Sequence, residues 1–264
     1  MKTDNAAKGR IKIIRMNGYL TAGLIITGVF VLLGIIGMFW TPYSTTAMSA
    51  SEKFAAPSLA HLMGTDNFGR DILSRVMKGL GTTVMTGVLV ILVSGTAGLV
   101  IGALTGYFGG IVDEVIMALV VVSILGTGSR NVIIALSIVF IPSFVRVVRS
   151  EYMRCRNADY ITNARLMGVG RIRIMFVHIL PNIMSTFLVA VTVGFNNAIL
   201  AESGLSYLGI GVQPPDASLG KMLSDAQGYL FTAPWYAVFP GLTIVLFVLG
   251  FSLIGEGIQR NNRR

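Results

Sequence analysis

The sequence predicts an all-α polytopic membrane protein with about six transmembrane helices, and three observations carry that prediction. Apolar residues fill 53% of the 264 positions, charged residues only 12%, and the mean hydropathy is +0.73. Uncharged runs of about 20 residues recur along the chain, the length a helix needs to cross a hydrocarbon core of ~30 Å with every backbone N–H and C=O paired inside the segment. Lys and Arg are confined to stretches between those runs, which is how charge sets topology in a bilayer. The net charge of +9 therefore reports orientation in the lipid bilayer, and no nucleic-acid partner is expected.

The elements follow in order. Residues 1–18 read as a basic cytoplasmic tail, with Lys2, Lys8, Arg10, Lys12 and Arg15. Ala47-Met48-Ser49 is a faint cleavage-like triplet, but the apolar stretch before it is too long for the h-region of a signal peptide. Residues 19–40 hold twelve Leu, Ile, Val or Phe, each favouring insertion by roughly 0.3–0.6 kcal/mol near the bilayer centre, and are expected to be a retained first helix. Residues 41–79 form an extracytoplasmic segment, and 80–256 the membrane core. Within that core Leu80 to Tyr107, Ile183 to Ala201 and Trp235 to Ile254 are uncharged and long enough to span.

Between Asp113 and Arg146 lie two shorter runs, Val115 to Ser129 and Asn131 to Val145, each worth only about 22 Å as a helix. Parity decides how they are counted. The first tail carries five Lys/Arg, residues 146–182 carry seven, and the tail at 257–264 three, so all three stretches should be cytoplasmic. That requires two crossings between 113 and 146, or none. Two thinned or tilted spans are expected, giving six helices with both termini inside; a re-entrant hairpin is the alternative.

Chemistry is sparse. Cys155 is the single cysteine and the two histidines, His61 and His178, stand far apart, so no metal site is expected. No paired acid and no nucleophile with a nearby base marks an enzyme, and no catalytic residue is assigned. No charged residue falls in the middle of an expected span, which argues against an ion-coupled carrier and for energy supplied by a partner. The chain has no Gly-x4-Gly-Lys-Ser/Thr loop and should bind no nucleotide or other cofactor itself.

Residues 146–182 are the informative stretch. Tyr160, Ile161, Ala164, Leu166 and Met167 precede Gly168 and Gly170, and Ile172, Ile174, Met175 and Phe176 follow, interleaved with Arg165, Arg171 and Arg173. The pattern predicts a short helix, a glycine break with Gly168 left-handed, and a second amphipathic piece entering the next span through Pro181. A loop of over thirty residues exceeds what a connection needs, although a basic loop lying against anionic lipid remains an alternative.

Thr162-Asn163-Ala164-Arg165-Leu166-Met167-Gly168, followed after nine residues by His178-Ile179-Leu180-Pro181, resembles the Glu-Ala-Ala-x-x-x-Gly-x9-Ile-x-Leu-Pro motif of binding-protein-dependent ABC importer permeases. Ala164, Gly168, Leu180 and Pro181 fit, whereas Thr162, Asn163 and His178 replace Glu, Ala and Ile. Two further stretches resemble the C-type subunits of dipeptide, oligopeptide and nickel importers. One is Met63-Gly64-Thr65-Asp66-Asn67-Phe68-Gly69-Arg70-Asp71; the other is Ala201-Glu202-Ser203-Gly204-Leu205-Ser206-Tyr207-Leu208-Gly209-Ile210-Gly211-Val212-Gln213-Pro214-Pro215.

The resemblance implies the type I ABC importer permease fold in a bacterial or archaeal inner membrane. It implies a homologous B-type permease subunit, one or two P-loop ATPase subunits that bind ATP, and an extracytoplasmic solute-binding protein as partners. The function it implies is half of a translocation pathway for peptides, nickel, metal chelates or glutathione-like cargo; a self-contained secondary carrier or channel is the alternative. The ATPase-coupling loop would use Tyr160, Thr162, Ala164, Gly168, Arg171, Ile172, His178, Leu180 and Pro181. The extracytoplasmic gate or binding-protein contact would use Gly64, Thr65, Asp66, Gly69, Arg70, Asp71, Gln213, Pro214 and Pro215, with Asp216 and Lys221 nearby. Asp66 and Asp71 are expected to cap a short outer helix with Ile72, Leu73 and Val76 on the interface. Against the family pattern, roughly ten residues are missing near 113–130, and Leu219 stands where many relatives carry Trp.

Overall fold

The structure is a computed structural model that describes residues 16–108 and 128–262. Among these residues it is all-helical, with one isolated antiparallel bridge between Thr65 and Asp71. In chain order the helices are α1 (Gly18–Phe39), α2 (Ile72–Phe108), α3 (Ser129–Arg156), α4 (Asp159–Leu166), α5 (Arg171–Tyr207), α6 (Leu219–Ala226) and α7 (Trp235–Asn262). Five of them, α1, α2, α3, α5 and α7, are long and apolar enough to cross a membrane.

Lipid tails are as apolar as leucine, so helices in a bilayer associate through close van der Waals packing, and small residues at the contact let the backbones approach. α2 and α3 meet in this way. Gly98, Gly102 and Gly106 recur every fourth residue on α2 and face Phe144, Val148 and Tyr152 of α3 in the same order, so the two helices run parallel. A Cβ at Gly102 would sit 2.7 Å from the Val148 Cβ, and one at Gly106 2.7 Å from the Tyr152 Cβ. The other neighbours are antiparallel: Gly23 of α1 lies against Gly250 and Ile254 of α7, Gly37 of α1 against Met77 of α2, and Gly87 of α2 against Phe195 of α5.

This order defines two ends. The basic end gathers the close of α2 and α3, all of α4, the start of α5 and the close of α7. The start of α1 joins them there, since Asn17 accepts from the Leu20 N–H at 2.8 Å as an N-cap and donates its Nδ2 to the Gly257 carbonyl at 2.9 Å. The opposite end holds residues 41–71, the start of α2 and α6. Two buried clusters match the two ends. The larger runs from Ile72, Leu80 and Leu219 through Phe195 and Phe247, and the smaller joins Ala103, Tyr107, Val148, Tyr152, Ile161, Ala164, Ile174 and Ile183.

Several expectations need correction. α2 begins at Ile72 and not near Leu80, so no separate short helix precedes it, and Ile72 and Val76 are core residues at 0% and 3% exposure rather than interfacial ones. The run from Asn131 does not stop at Val145: α3 continues through Pro142 to Arg156, 28 residues, about 42 Å and enough for a full crossing. Of the run from Val115 to Ser129, residues 115–127, and with them most of the shortened third-helix region, lie outside the described residues, while Ser129 opens α3.

Replacing Gly102 with Leu forces a side chain into the Val148 position, and overpacking of this kind costs about 1–3 kcal/mol. The thermal unfolding midpoint of the detergent-solubilised protein should fall by several degrees. Gly28→Leu, where nothing lies within 4 Å of an added Cβ, should leave the midpoint unchanged.

Candidate functional site

At the basic end the stretch read as helix, break and helix folds that way, and the hydrogen bonds show why. α4 closes in a Schellman motif: the Gly168 N–H donates to the Arg165 carbonyl at 3.0 Å and the Val169 N–H to the Ala164 carbonyl at 3.1 Å. Gly168 stands at φ +78°, a conformation that costs other residues about 1–2 kcal/mol. α5 starts at Arg171, widens into a π-turn over Ile174–Ile179 and continues from Leu180 through Pro181. Proline has no N–H to donate and its ring crowds the preceding turn, which the wider turn relieves.

Ile161 and Ala164 of α4 are buried among Tyr107 of α2, Val148 and Tyr152 of α3, and Ile174 and Ile179 of α5. Tyr152 donates its hydroxyl to the Met175 carbonyl at 3.2 Å, holding α3 to the first turns of α5. The outer side of α4 is free: Leu166 is 82% and Met167 83% exposed, with Thr162 and Arg165 beside them. Tyr160 accepts from Asn182 Nδ2 at 3.0 Å. Burial pushes the Tyr160 phenol above its ordinary pKa, against the lowering effect of that amide, so the hydroxyl stays neutral. His178 is half-buried and offers its carbonyl to Asn182. Arg171 and Ile172 project into solvent or lipid at the start of α5.

At the opposite end Asp66 is fully buried and organises its loop. It accepts from the Phe68 and Arg70 N–H groups at 2.8 and 2.9 Å, and from Arg70 Nε at 2.7 Å, while Arg75 Nε stands 3.6 Å away. Arg75 lies 3.9 Å from Asp225, which also receives Lys221 Nζ at 2.6 Å. Asp71 caps α2 by accepting from the Ser74 N–H and Oγ at 2.7 and 2.6 Å, and it holds His61 Nδ1 at 2.9 Å. Thr65 donates to the Glu52 carbonyl and accepts from the Ala55 N–H. Gly69, at φ +74°, presses on the Ser49 carbonyl where a Cβ has no room, and Gly64 stands at φ +75°. Asp66 is thus an organiser of the loop, not a helix cap as its spacing suggested.

Gln213 folds back on the Gly209 carbonyl at 2.7 Å, and Pro214–Pro215 is a cis peptide on the surface. The two expected gate stretches lie at the same end, and the side-chain hydrogen bonds of Gln213 go to the Gly209 and Gly211 carbonyls and not to residues 64–71.

Sequence reasoning missed Glu202. It lies on α5 just past the run expected to span, is fully buried, and accepts from Thr83 Oγ1 of α2 at 3.1 Å and Ser206 Oγ at 2.8 Å. Ser206 Oγ in turn accepts from the Val212 N–H at 3.1 Å. One carboxylate therefore ties α2, α5 and the strap that leads to α6. The signal was available, an acid followed by hydroxyls at i+1 and i+4 beside an apolar run. Arg75 and Asp225 were missed as well, because their pairing crosses 150 residues of sequence.

Five long apolar helices, a basic face with a docked short helix, and a charge-paired opposite end fit a multi-pass membrane protein. A profile of the family described as "Binding-protein-dependent transport system inner membrane component" matches residues 111–264. Among its relatives, the dipeptide transport system permease protein DppC of Haemophilus influenzae is 37% identical over 90% of this chain and 87% of its own length. The glutathione transport system permease protein GsiD of Pectobacterium atrosepticum is 37% identical over 88% and 83%, and the nickel transport system permease protein NikC of Escherichia coli 32% over 89% and 90%. The chain belongs to this family, the membrane-spanning permease subunits of ABC transport systems. It is a transport component rather than an enzyme, and membership implies ATPase and substrate-binding components as partners.

Asp66→Ala removes the carboxylate nearest Arg70 and Arg75. Breaking a buried pair on one side typically costs 3–5 kcal/mol, so the yield of monodisperse protein should collapse, whereas Asp66→Asn, which keeps an acceptor for the Phe68 and Arg70 N–H groups, should retain part of it. Glu202→Ala should cost about 1–3 kcal/mol and expose residues 208–218 to limited proteolysis, with Glu202→Gln intermediate.

Proposed function

We propose that the chain forms half of a translocation pathway for peptides or for nickel and other metal chelates. It pairs with a homologous B-type permease subunit and is driven by one or two P-loop ATPase subunits that bind the ATP. The observation that carries this reading is the seating of α4. Its inner face is locked into the cluster that unites the ends of α2, α3 and α5, while Leu166 and Met167 stand exposed at its tip. A partner that grips this tip moves three spanning helices together, which is the form a coupling element requires.

In this reading Tyr160, Thr162 and Ala164 belong to the coupling helix and Gly168 to its hinge. Arg171, Ile172, His178, Leu180 and Pro181 carry the motion into α5. The basic end is cytoplasmic by the positive-inside rule, in a bacterial or archaeal inner membrane. The parallel run of α2 and α3 supports a sixth crossing between them, and the Asn17 to Gly257 hydrogen bond supports both termini on the cytoplasmic side. At the other end Gly64 to Asp71, with Gln213, Pro214 and Pro215, forms the rim that meets an extracytoplasmic solute-binding protein. Relatives named for dipeptide, glutathione and nickel transport bound the cargo class.

Gly168→Val places a β-branched side chain in the left-handed region and breaks the turn between α4 and α5. Extracted gently from its native membrane, the wild-type chain should bring a P-loop ATPase and a second permease with it. The variant should keep the second permease and lose most of the ATPase, with transport falling at least tenfold. Recovery of the wild-type chain alone overturns the subunit assignment; retention of ATPase and transport by the variant overturns the coupling role of α4.

A further inference from the structure

We propose that the basic end carries a specific site for one anionic phospholipid, its headgroup held between the ends of α2 and α3, α4 and the start of α5, and an acyl chain lying along the first turns of α5. A cleft of about 440 Å³ opens there, lined by Tyr107, Arg156, Arg165, Gly168, Arg171 and Ile174. Three guanidinium groups from α3, α4 and α5 line one cavity, and none of the described residues that line it is an acid. Arg165 lies over the Tyr107 ring at 5.8 Å and donates to the Arg156 carbonyl at 3.4 Å. Among the described residues no carboxylate comes within 4 Å of Arg156, Arg165, Arg171 or Arg173, whereas Arg154 nearby is paired with Glu151 at 2.5 Å. Arginine presents a planar fork that matches phosphate oxygens, so the cleft has the chemistry of a phosphate receptor.

A second cavity adjoins it and shares Arg171. This open groove is lined by Gly170, Arg171, Ile172, Arg173, Phe176 and Val177 and is almost wholly apolar. Ile172, Phe176 and Val177 are 73%, 51% and 56% exposed and form an i, i+4, i+5 stripe down the start of a spanning helix. A free phosphate would use the first cavity alone. A polar, arginine-lined cleft adjoining an apolar groove along the start of a spanning helix fits a charged head with a hydrocarbon tail, and basic pockets between helix ends on one membrane face are where such headgroups bind.

The proposal rests on the basic end facing a leaflet that contains anionic lipid, but not on α4 gripping an ATPase. Its test is native mass spectrometry of the full-length chain with the subunits it carries, taken from nanodiscs of phosphatidylcholine doped with phosphatidylglycerol. The two leaflets of a nanodisc are alike, so the readout does not depend on which way the chain is inserted. Wild type should retain phosphatidylglycerol over phosphatidylcholine, and millimolar inorganic phosphate should not displace it. Each of Arg156→Gln, Arg165→Gln and Arg171→Gln should lower retention about fivefold, the equivalent of about 1 kcal/mol each. Arg171→Lys should recover part of the loss. Arg154→Gln, which removes the same charge outside the cleft, should leave retention unchanged, and Phe176→Ser should weaken it without altering charge. An equal loss in Arg154→Gln would reduce the effect to general attraction of a basic face. Displacement by phosphate would make the site one for a free anion, and absence of bound lipid in the assembled complex would mean that a partner subunit fills the cleft; each of these outcomes overturns the proposal.

Discussion

The close approach of α2 and α3 is the contact on which the rest of the structure depends. In lipid the association of two helices gains little from burying apolar surface, and what remains is the dispersion energy of atoms in direct contact. Gly98, Gly102 and Gly106 make that contact possible along three successive turns. Because it is continuous to the basic end, Tyr107 and Tyr152 emerge side by side, and the pair forms the floor on which Ile161 and Ala164 rest. α4 has only eight residues and could not hold its place in isolation. Its order is borrowed from the glycine ladder beneath it.

The two ends solve opposite electrostatic problems. At the end bearing residues 41–71, Asp66, Asp71 and Asp225 are matched by Arg70, Arg75, Lys221 and His61 at short range. Paired groups there are fixed, and the loop they organise is rigid enough to serve as a rim. At the basic end most arginines lack carboxylate partners among the described residues, so the end is a standing demand for anions that a membrane surface, a partner subunit or both must meet. One end is closed upon itself and the other is open to binding, which suits a subunit that takes solute from one side and force from the other.

How much of this was legible in the sequence depended on the range of the interactions involved. α1 and α7 were readable because their signal is local, an uncharged run bounded by aromatic and charged residues. The α4 helix and its glycine stop were readable for the same reason, since a Schellman closure is completed within six residues. The start of α2 was not, because Arg75 and Lys78 lower the hydropathy of its first turns and only the distant Asp66 and Asp225 make a buried Arg75 tolerable. Glu202 escaped for the converse reason. Its partner Thr83 is 119 positions away, and the local pattern of an acid beside two hydroxyls does not name that partner. The π-turn before Pro181 likewise follows from packing on both sides of the proline and leaves no mark in composition.

That π-turn acts as a phase adjuster. One residue more than an α-turn contains shifts everything after it by about 100° around the helix axis. The start of α5 must direct Ile174 and Met175 toward α3 and α4, while some twenty residues on the same helix must aim Phe195 at α2 and α7 and Glu202 at Thr83. The two orientations differ in angular register, and the wide turn reconciles them. Removing one residue between 174 and 179 would leave each half of α5 as apolar and as helical as before, yet no rotation of the whole rod could then satisfy both ends. The length of this segment, more than its particular side chains, sets the register between the two halves of α5.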